Sequence, residues 1–153
     1  MNIKMLEEAF EEVTVECGDV INILCMTVTM DRANRTAIIK QKHFLDKVTS
    51  TFNATKKAVT PAYGDLQKEG DNGDLLKDQK HFMSLNATLM YAAKRTHLEI
   101  SFPVVCLSSR YNKATVGDLQ KAMRVAEYIV TCGDSHCLKL APKSLQIILQ
   151  DPT

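Results

Sequence analysis

The sequence predicts an α+β chain: a β-hairpin followed by a helix, then a three-helix unit, then a short terminal β-pair. Three observations predict it. Residues 80–131 hold three successive apolar-periodic segments with almost no linker between them. Two of those segments open on helix start signals. Upstream, residues 20–40 switch to β-branched residues in alternation, broken by a polar turn.

Residues 1–12, MNIKMLEEAFEE, have the spacing of an amphipathic helix with Ile3, Leu6 and Phe10 on one face. Residues 13–19 form a connector that ends in a Gly18-Asp19 turn signal. Val20 to Met30 is rich in β-branched residues and alternates from Leu24 onward, so it is predicted as one strand. Asp31 to Arg35 is the polar turn, and Thr36 to Lys40 the second strand of a hairpin. A helix is expected from Gln41 to Phe52, burying Phe44, Leu45 and Val48. Residues 62–79 are Gly-, Asp- and Lys-rich without periodicity, which predicts a flexible surface loop. Asp71-Asn72-Gly73-Asp74 lies in it but lacks the 12-residue spacing and closing glutamate of a calcium loop.

In the three-helix unit, residues 80–131, the first helix runs from Lys80 to Arg95. It aligns Phe82, Leu85, Leu89, Ala92 and Ala93 on one face. The second is predicted to start at a capping box, Thr96-His97-Leu98-Glu99, and Pro103 inside it predicts a kink. The third starts at a second capping box, Thr115 to Asp118. It turns Leu119, Ala122, Met123, Ala126, Ile129 and Val130 inward. In residues 132–153, Cys132 to Ser135 reads as a turn. Leu138–Leu140 and Leu145–Leu149 read as the paired terminal strands.

Composition bounds the function. The chain has 153 residues, 45% of them hydrophobic and 24% charged, which is ordinary for one globular domain. Its net charge of +1 does not announce a nucleic-acid binder, so any such role must rest on local basic clusters. The sequence lacks an apolar run of the ~18 residues a membrane span needs and opens on no secretory signal. Five scattered cysteines, Cys17, Cys25, Cys106, Cys132 and Cys137, read as free thiols in a reducing compartment. The expected location is intracellular, cytoplasmic or nuclear, with no membrane partner.

Four segments of the helical unit carry a resemblance. Ser84-Leu85-Asn86-Ala87-Thr88-Leu89-Met90-Tyr91 comes first, then Arg95-Thr96-His97-Leu98-Glu99-Ile100, Leu107-Ser108-Ser109-Arg110, and Lys121 to Ile129. In this order and spacing they resemble the helical part of a copia-type retrotransposon polyprotein, between the reverse-transcriptase palm and ribonuclease H. That family commonly reads S-L-V-G-S-L-M-Y, T-R-P-D-I, L-S-R and A-x-R-V-x-R-Y-L there. Leu24 to Val28, Gln41, Phe44, Phe52 and Lys57 to Pro61 extend the likeness over nearly the whole chain.

The resemblance implies the thumb and connection portion of an RNA-directed DNA polymerase, with the Gln41–Phe52 helix thumb-like. It places the hairpin residues Leu24, Cys25 and Met26 on the primer side. Neither catalytic carboxylate set occurs in this sequence. The Y-x-D-D turn belongs upstream in the palm and the second set downstream in ribonuclease H, so no catalysis is expected from the isolated chain. Magnesium would belong to those missing domains, and no cofactor is expected here. The expected partners are an RNA–DNA hybrid, the palm and ribonuclease H. Candidate phosphate contacts are Lys40, Lys42, Lys56, Lys57, Arg95, Arg110 and Arg124, with a solvated face as the competing role for each and an internal salt bridge also competing at Arg110 and Arg124. The sequence departs from the family at Cys25 and Ala87, which replace glycines, and at His97-Leu98-Glu99, which replaces R-P-D.

Two other readings stay open. A protein-interaction module would use exposed apolar faces, including self-association. A relic would have no selected role. Cys132, His136 and Cys137 offer three soft ligands in six residues, but lack a fourth ligand and zinc-type spacing, so no metal site is expected there.

Overall fold

The structure is a computed structural model that describes residues 17–64, 66 and 73–141. It is an α+β fold, a four-stranded antiparallel sheet beside four helices. The strands are β1 (Val20–Ile23), β2 (Met26–Asp31), β3 (Thr36–Lys40) and β4 (Leu138–Leu140). The helices are α1 (Lys42–Phe52), α2 (Gln79–Ala93), α3 (Ser101–Ser108) and α4 (Val116–Cys132). Short 3-10 turns, Leu98–Ile100 and Gly133–Ser135, precede α3 and follow α4. The expected N-terminal helix and the strand Leu145–Leu149 lie outside the described residues.

The predicted strand Val20–Met30 is two strands. Ile23 pairs with Met26, so Leu24 and Cys25 form a two-residue hairpin loop. Both sit at positive φ, 50° and 62°, as a type I′ turn requires. The sequence hides this turn because neither residue is the usual Asn, Asp or Gly. The second hairpin falls where expected. Asp31 pairs with Thr36, and the Asp31 carboxylate accepts from the Asn34 backbone N–H at 3.0 Å and from its amide at 2.7 Å. The terminal strand β4 forms where expected, and its predicted partner lies outside the described residues. Strand β4 adds to β3, with Ile39 opposite Leu138 and Ala37 opposite Leu140.

The core is helical. Phe44, Leu45, Val48 and Phe52 line the inner side of α1, which packs on α4. Asn53 ends α1 in the left-handed conformation at φ 56°. Helix α2 buries Phe82, Leu85, Leu89, Ala92 and Ala93, as its spacing predicts, and is capped by Asp78 accepting from the His81 N–H. Helix α4 buries Ala122, Ala126 and Ile129, and also Val125, while Leu119, Met123 and Val130 are half-buried. Full burial of each large side chain is worth about 1.5–3 kcal/mol.

The Thr115 capping box forms as predicted: Thr115 Oγ1 accepts from the Asp118 N–H, and Asp118 Oδ2 accepts from the Thr115 N–H. The Thr96 box does not. Its hydroxyl donates to the buried Gln41 Oε1 at 2.5 Å, and the chain enters a 3-10 turn. Helix α3 starts later, at Ser101, which puts Pro103 in its first turn, where a missing N–H costs nothing.

The loop predicted over residues 62–79 is tied down on both sides of its undescribed residues. Leu66 is buried in the core, and its carbonyl accepts from Arg110 Nη2 at 2.8 Å. Leu75 bridges Thr115, and the Leu76 N–H donates to the Ala114 carbonyl at 2.9 Å.

Candidate functional site

The segment after α1 folds back against α4. Ala58 is buried there, its N–H donating to Thr131 Oγ1 at 3.1 Å. This closes a groove of about 700 Å³ whose walls include Lys56, Lys57, Tyr63, Met123, Arg124 and Glu127. Three of the seven predicted phosphate contacts, Lys56, Lys57 and Arg124, therefore meet in one place. Arg124 is held rigidly. Its guanidinium lies over the Tyr63 ring, 3.8 Å from the centroid, and Nη2 donates to Thr60 Oγ1 at 3.0 Å. Tyr63 keeps 63% of its surface exposed, so an aromatic face stands beside three cations. Glu127 is the opposing charge in the lining.

The remaining predicted residues are dispersed. Lys40 ends β3, Lys42 opens α1, and neither lines the groove. Arg95 is exposed after α2, its guanidinium 5.6 Å from the Tyr91 centroid. Tyr91 in turn packs on Phe44, ring centroids 5.0 Å apart, and donates its hydroxyl hydrogen to the Leu24 carbonyl at 2.5 Å. The hairpin tip is thus docked on the helices. Leu24 is exposed, Met26 half-buried, and Cys25 lines a second cavity of about 390 Å³ with Lys47 and Tyr91.

Arg110 corrects its expectation. It is buried, and its guanidinium pairs with Asp118 and the Leu66 carbonyl, which removes it from any phosphate. Burial pushes the Asp118 carboxyl up, but the Thr115 N–H and the Arg110 guanidinium outweigh it and hold the group below its ordinary value of 3.8. The competing role, an internal salt bridge, is the one the fold uses.

A second cluster was not expected from the sequence. His97, at the end of the α2–α3 corner, is fully buried, and its Nδ1 lies 3.1 Å from Glu99 Oε1. His136 reaches the same oxygen from beyond α4, Nδ1 at 2.8 Å. The two imidazoles stack 5.9 Å apart at 25°. Burial pushes the Glu99 carboxyl up, yet the hydrogen bonds from His136, the backbone and His97 prevail and lower it. Tyr128 meets His136 edge-on at 6.2 Å. Its hydroxyl is pushed up to about 12 by burial, by its contact with Cys132 and by the Glu99 charge. Among the described residues this is the group of His, Cys and acidic side chains whose ligand atoms converge; Cys132 and Cys137 are not in it. The sequence signals were the departure at His97-Leu98-Glu99 and the soft-ligand set that grouped His136 with Cys132 and Cys137 instead.

The five cysteines are unpaired. No helix among the described residues is long and apolar enough to cross a membrane. No family model matches the chain, and no curated protein or solved structure matches it either.

Proposed function

We propose that this chain is the thumb and connection portion of a copia-type reverse transcriptase, and that it grips an RNA–DNA primer–template through the Lys56–Lys57–Arg124 groove. The observation that carries the reading is that convergence. Cations separated widely in sequence share one groove with an exposed tyrosine, and the fold holds the arginine in place. Phosphates would bind the cations by counterion release, and the Tyr63 face offers a sugar or base a stacking surface. In this reading the chain supplies grip and not chemistry. The catalytic carboxylates and their magnesium belong to palm and ribonuclease H.

The test is fluorescence anisotropy with a labelled RNA–DNA hybrid across a salt series. Binding should weaken with salt. A Lys56→Ala/Lys57→Ala/Arg124→Ala chain should bind less tightly, its log–log salt slope shallower by about 0.9 for each phosphate it no longer neutralises. A folded chain with no salt-sensitive binding would sink the reading.

One observation favours a second reading, a protein-interaction module. Leu98, Phe102 and Val105 are exposed at successive helical turns of the α3 segment, at 62%, 59% and 57%. An unpartnered apolar stripe of this kind fits a protein surface, including a second copy of the chain. It predicts salt-indifferent association in sedimentation, abolished by Phe102→Ser.

A further inference from the structure

We infer that His97, Glu99 and His136 form a binding site for a divalent transition metal of the zinc class. The inference stands apart from the nucleic-acid reading, because two of the three residues lie where the chain departs from the family it resembles.

The geometry is nearly that of a bound ion. One ligand atom from each of His97, Glu99 and His136 lies within 4.8 Å of those of the other two. Nitrogen and oxygen ligands about 2.0–2.1 Å from a tetrahedral zinc stand about 3.3 Å apart. The two histidine-to-glutamate separations are 3.1 and 2.8 Å. Opening them by a few tenths of an ångström makes room for an ion between the three atoms.

Each ligand is carried on ordered backbone. The His97 N–H donates to the Ala92 carbonyl at 3.1 Å, continuing the end of α2, and its carbonyl accepts from the Ile100 N–H at 3.1 Å. Glu99 sits in the 3-10 turn that opens α3. His136 directly follows the Gly133–Ser135 turn, where Gly133 at φ 50° lets the chain leave α4. Its ring is set by the edge of Tyr128. One ligand comes from the interior and two from the surface. The His97 side chain is 1% exposed, those of Glu99 and His136 34% and 38%. An ion can therefore enter from solvent and keep a fourth position for water, the pattern of open three-ligand zinc sites.

The donor set selects the metal. Two imidazoles and one carboxylate suit zinc, cobalt, nickel or copper, and poorly suit magnesium or calcium, which take oxygen ligands. His97 Nε2 is buried without a hydrogen-bond partner among the described residues. The site thus lacks the acceptor that commonly backs a metal-bound imidazole, and such support is worth roughly 10–100-fold in affinity. The bound ion would clamp the α2–α3 corner to the end of α4, just before β4 joins the sheet.

The experiment is calorimetric titration of the full chain with zinc chloride, alongside cobalt absorption. One ion should bind per chain, and the cobalt spectrum should lack a strong thiolate charge-transfer band. Glu99→Gln and His136→Ala, both on the surface side, should keep the helical circular-dichroism spectrum and weaken zinc binding by at least the roughly tenfold that loss of a mere outer-shell partner costs. A Cys132→Ser/Cys137→Ser chain should bind as the parent does. No zinc binding by the folded parent, binding untouched by both ligand variants, or binding lost in the cysteine double variant would each overturn the assignment.

Discussion

The helices and the sheet of this chain are built on different terms. Among the described residues every buried core residue lies in a helix or in the connections between helices, and no strand position is fully buried. Phe82, Leu85, Leu89, Val104, Val125 and Ile129 exclude water completely, whereas Val20, Ile23, Leu24 and Leu140 are exposed. The sheet is held by its ladders and by local contacts: Tyr91 on the hairpin tip, and the Arg32–Asp19 ion pair at 2.7 Å on its outer edge. An exposed pair of that kind adds little, about 0–1 kcal/mol. The apolar burial that stabilises the described residues therefore resides in the helical body.

Cutting each region once separates their contributions. Phe82 of α2 is fully buried, and the Tyr111 ring meets it edge-on at 6.1 Å. Phe82→Ala should cost about 4 kcal/mol through reduced burial and the cavity left behind. Ile38, half-buried in β3, should cost about 1 kcal/mol as Ile38→Ala, since only part of its side chain leaves water on folding. Urea unfolding followed by circular dichroism measures both. Equal losses would mean that the sheet contributes as much to stability as the helices.

Next comes the ion pair inside the helical body. Arg110 and Asp118 are both buried, so removing the Asp118 charge takes a buried ionic partner from the guanidinium. Asp118→Asn should cost about 3 kcal/mol. The pH dependence has a definite sign. The folded carboxyl titrates below its ordinary value of 3.8, so the unfolded chain binds the proton first. The stabilisation is complete above that ordinary value and is lost as pH falls through the lowered one. The urea midpoint of the parent should drop in this acid window, and the Asp118→Asn chain should lose that part of the drop. If the two pH profiles run parallel, the pair does not control acid stability.

The same contrast explains what was legible. The faces of α1, α2 and α4 could be read because burial and helical period coincide: Phe44, Leu45, Val48, Phe82, Leu85 and Leu89 recur at the spacing that a helix against a core imposes. The Thr115 cap was legible because all its partners lie within one turn. The Thr96 cap failed because distant partners outcompeted the local ones, Gln41 for the hydroxyl and His136 for Glu99. The site divides in the same way. Lys56 and Lys57 announce themselves as neighbours, but only folding shows that Arg124 joins them and that Arg110 turns inward. His136 stood out only beside Cys132 and Cys137, the wrong neighbours, since its partners are two residues across the fold.

The smallest effect sharpens the comparison at the sheet. Leu24 and Cys25 hold positive φ without being glycine, a conformation that costs an ordinary residue about 1–2 kcal/mol. Glycine removes that cost but brings extra freedom to the unfolded chain, worth roughly 0.5–1 kcal/mol against folding. The balance for Cys25→Gly is a gain of about 0.5 kcal/mol. Cys25 is exposed, so little packing goes with its side chain. Hydrogen exchange is the measurement that locates the gain. Amides of β1 and β2 should become more protected, while those of α2 and α4, which open only with the helical body, should shift by no more than the global change. A fall in protection at β1 and β2 would show that the Cys25 side chain, seated in the cavity beside Tyr91, holds the hairpin more strongly than its backbone strains it.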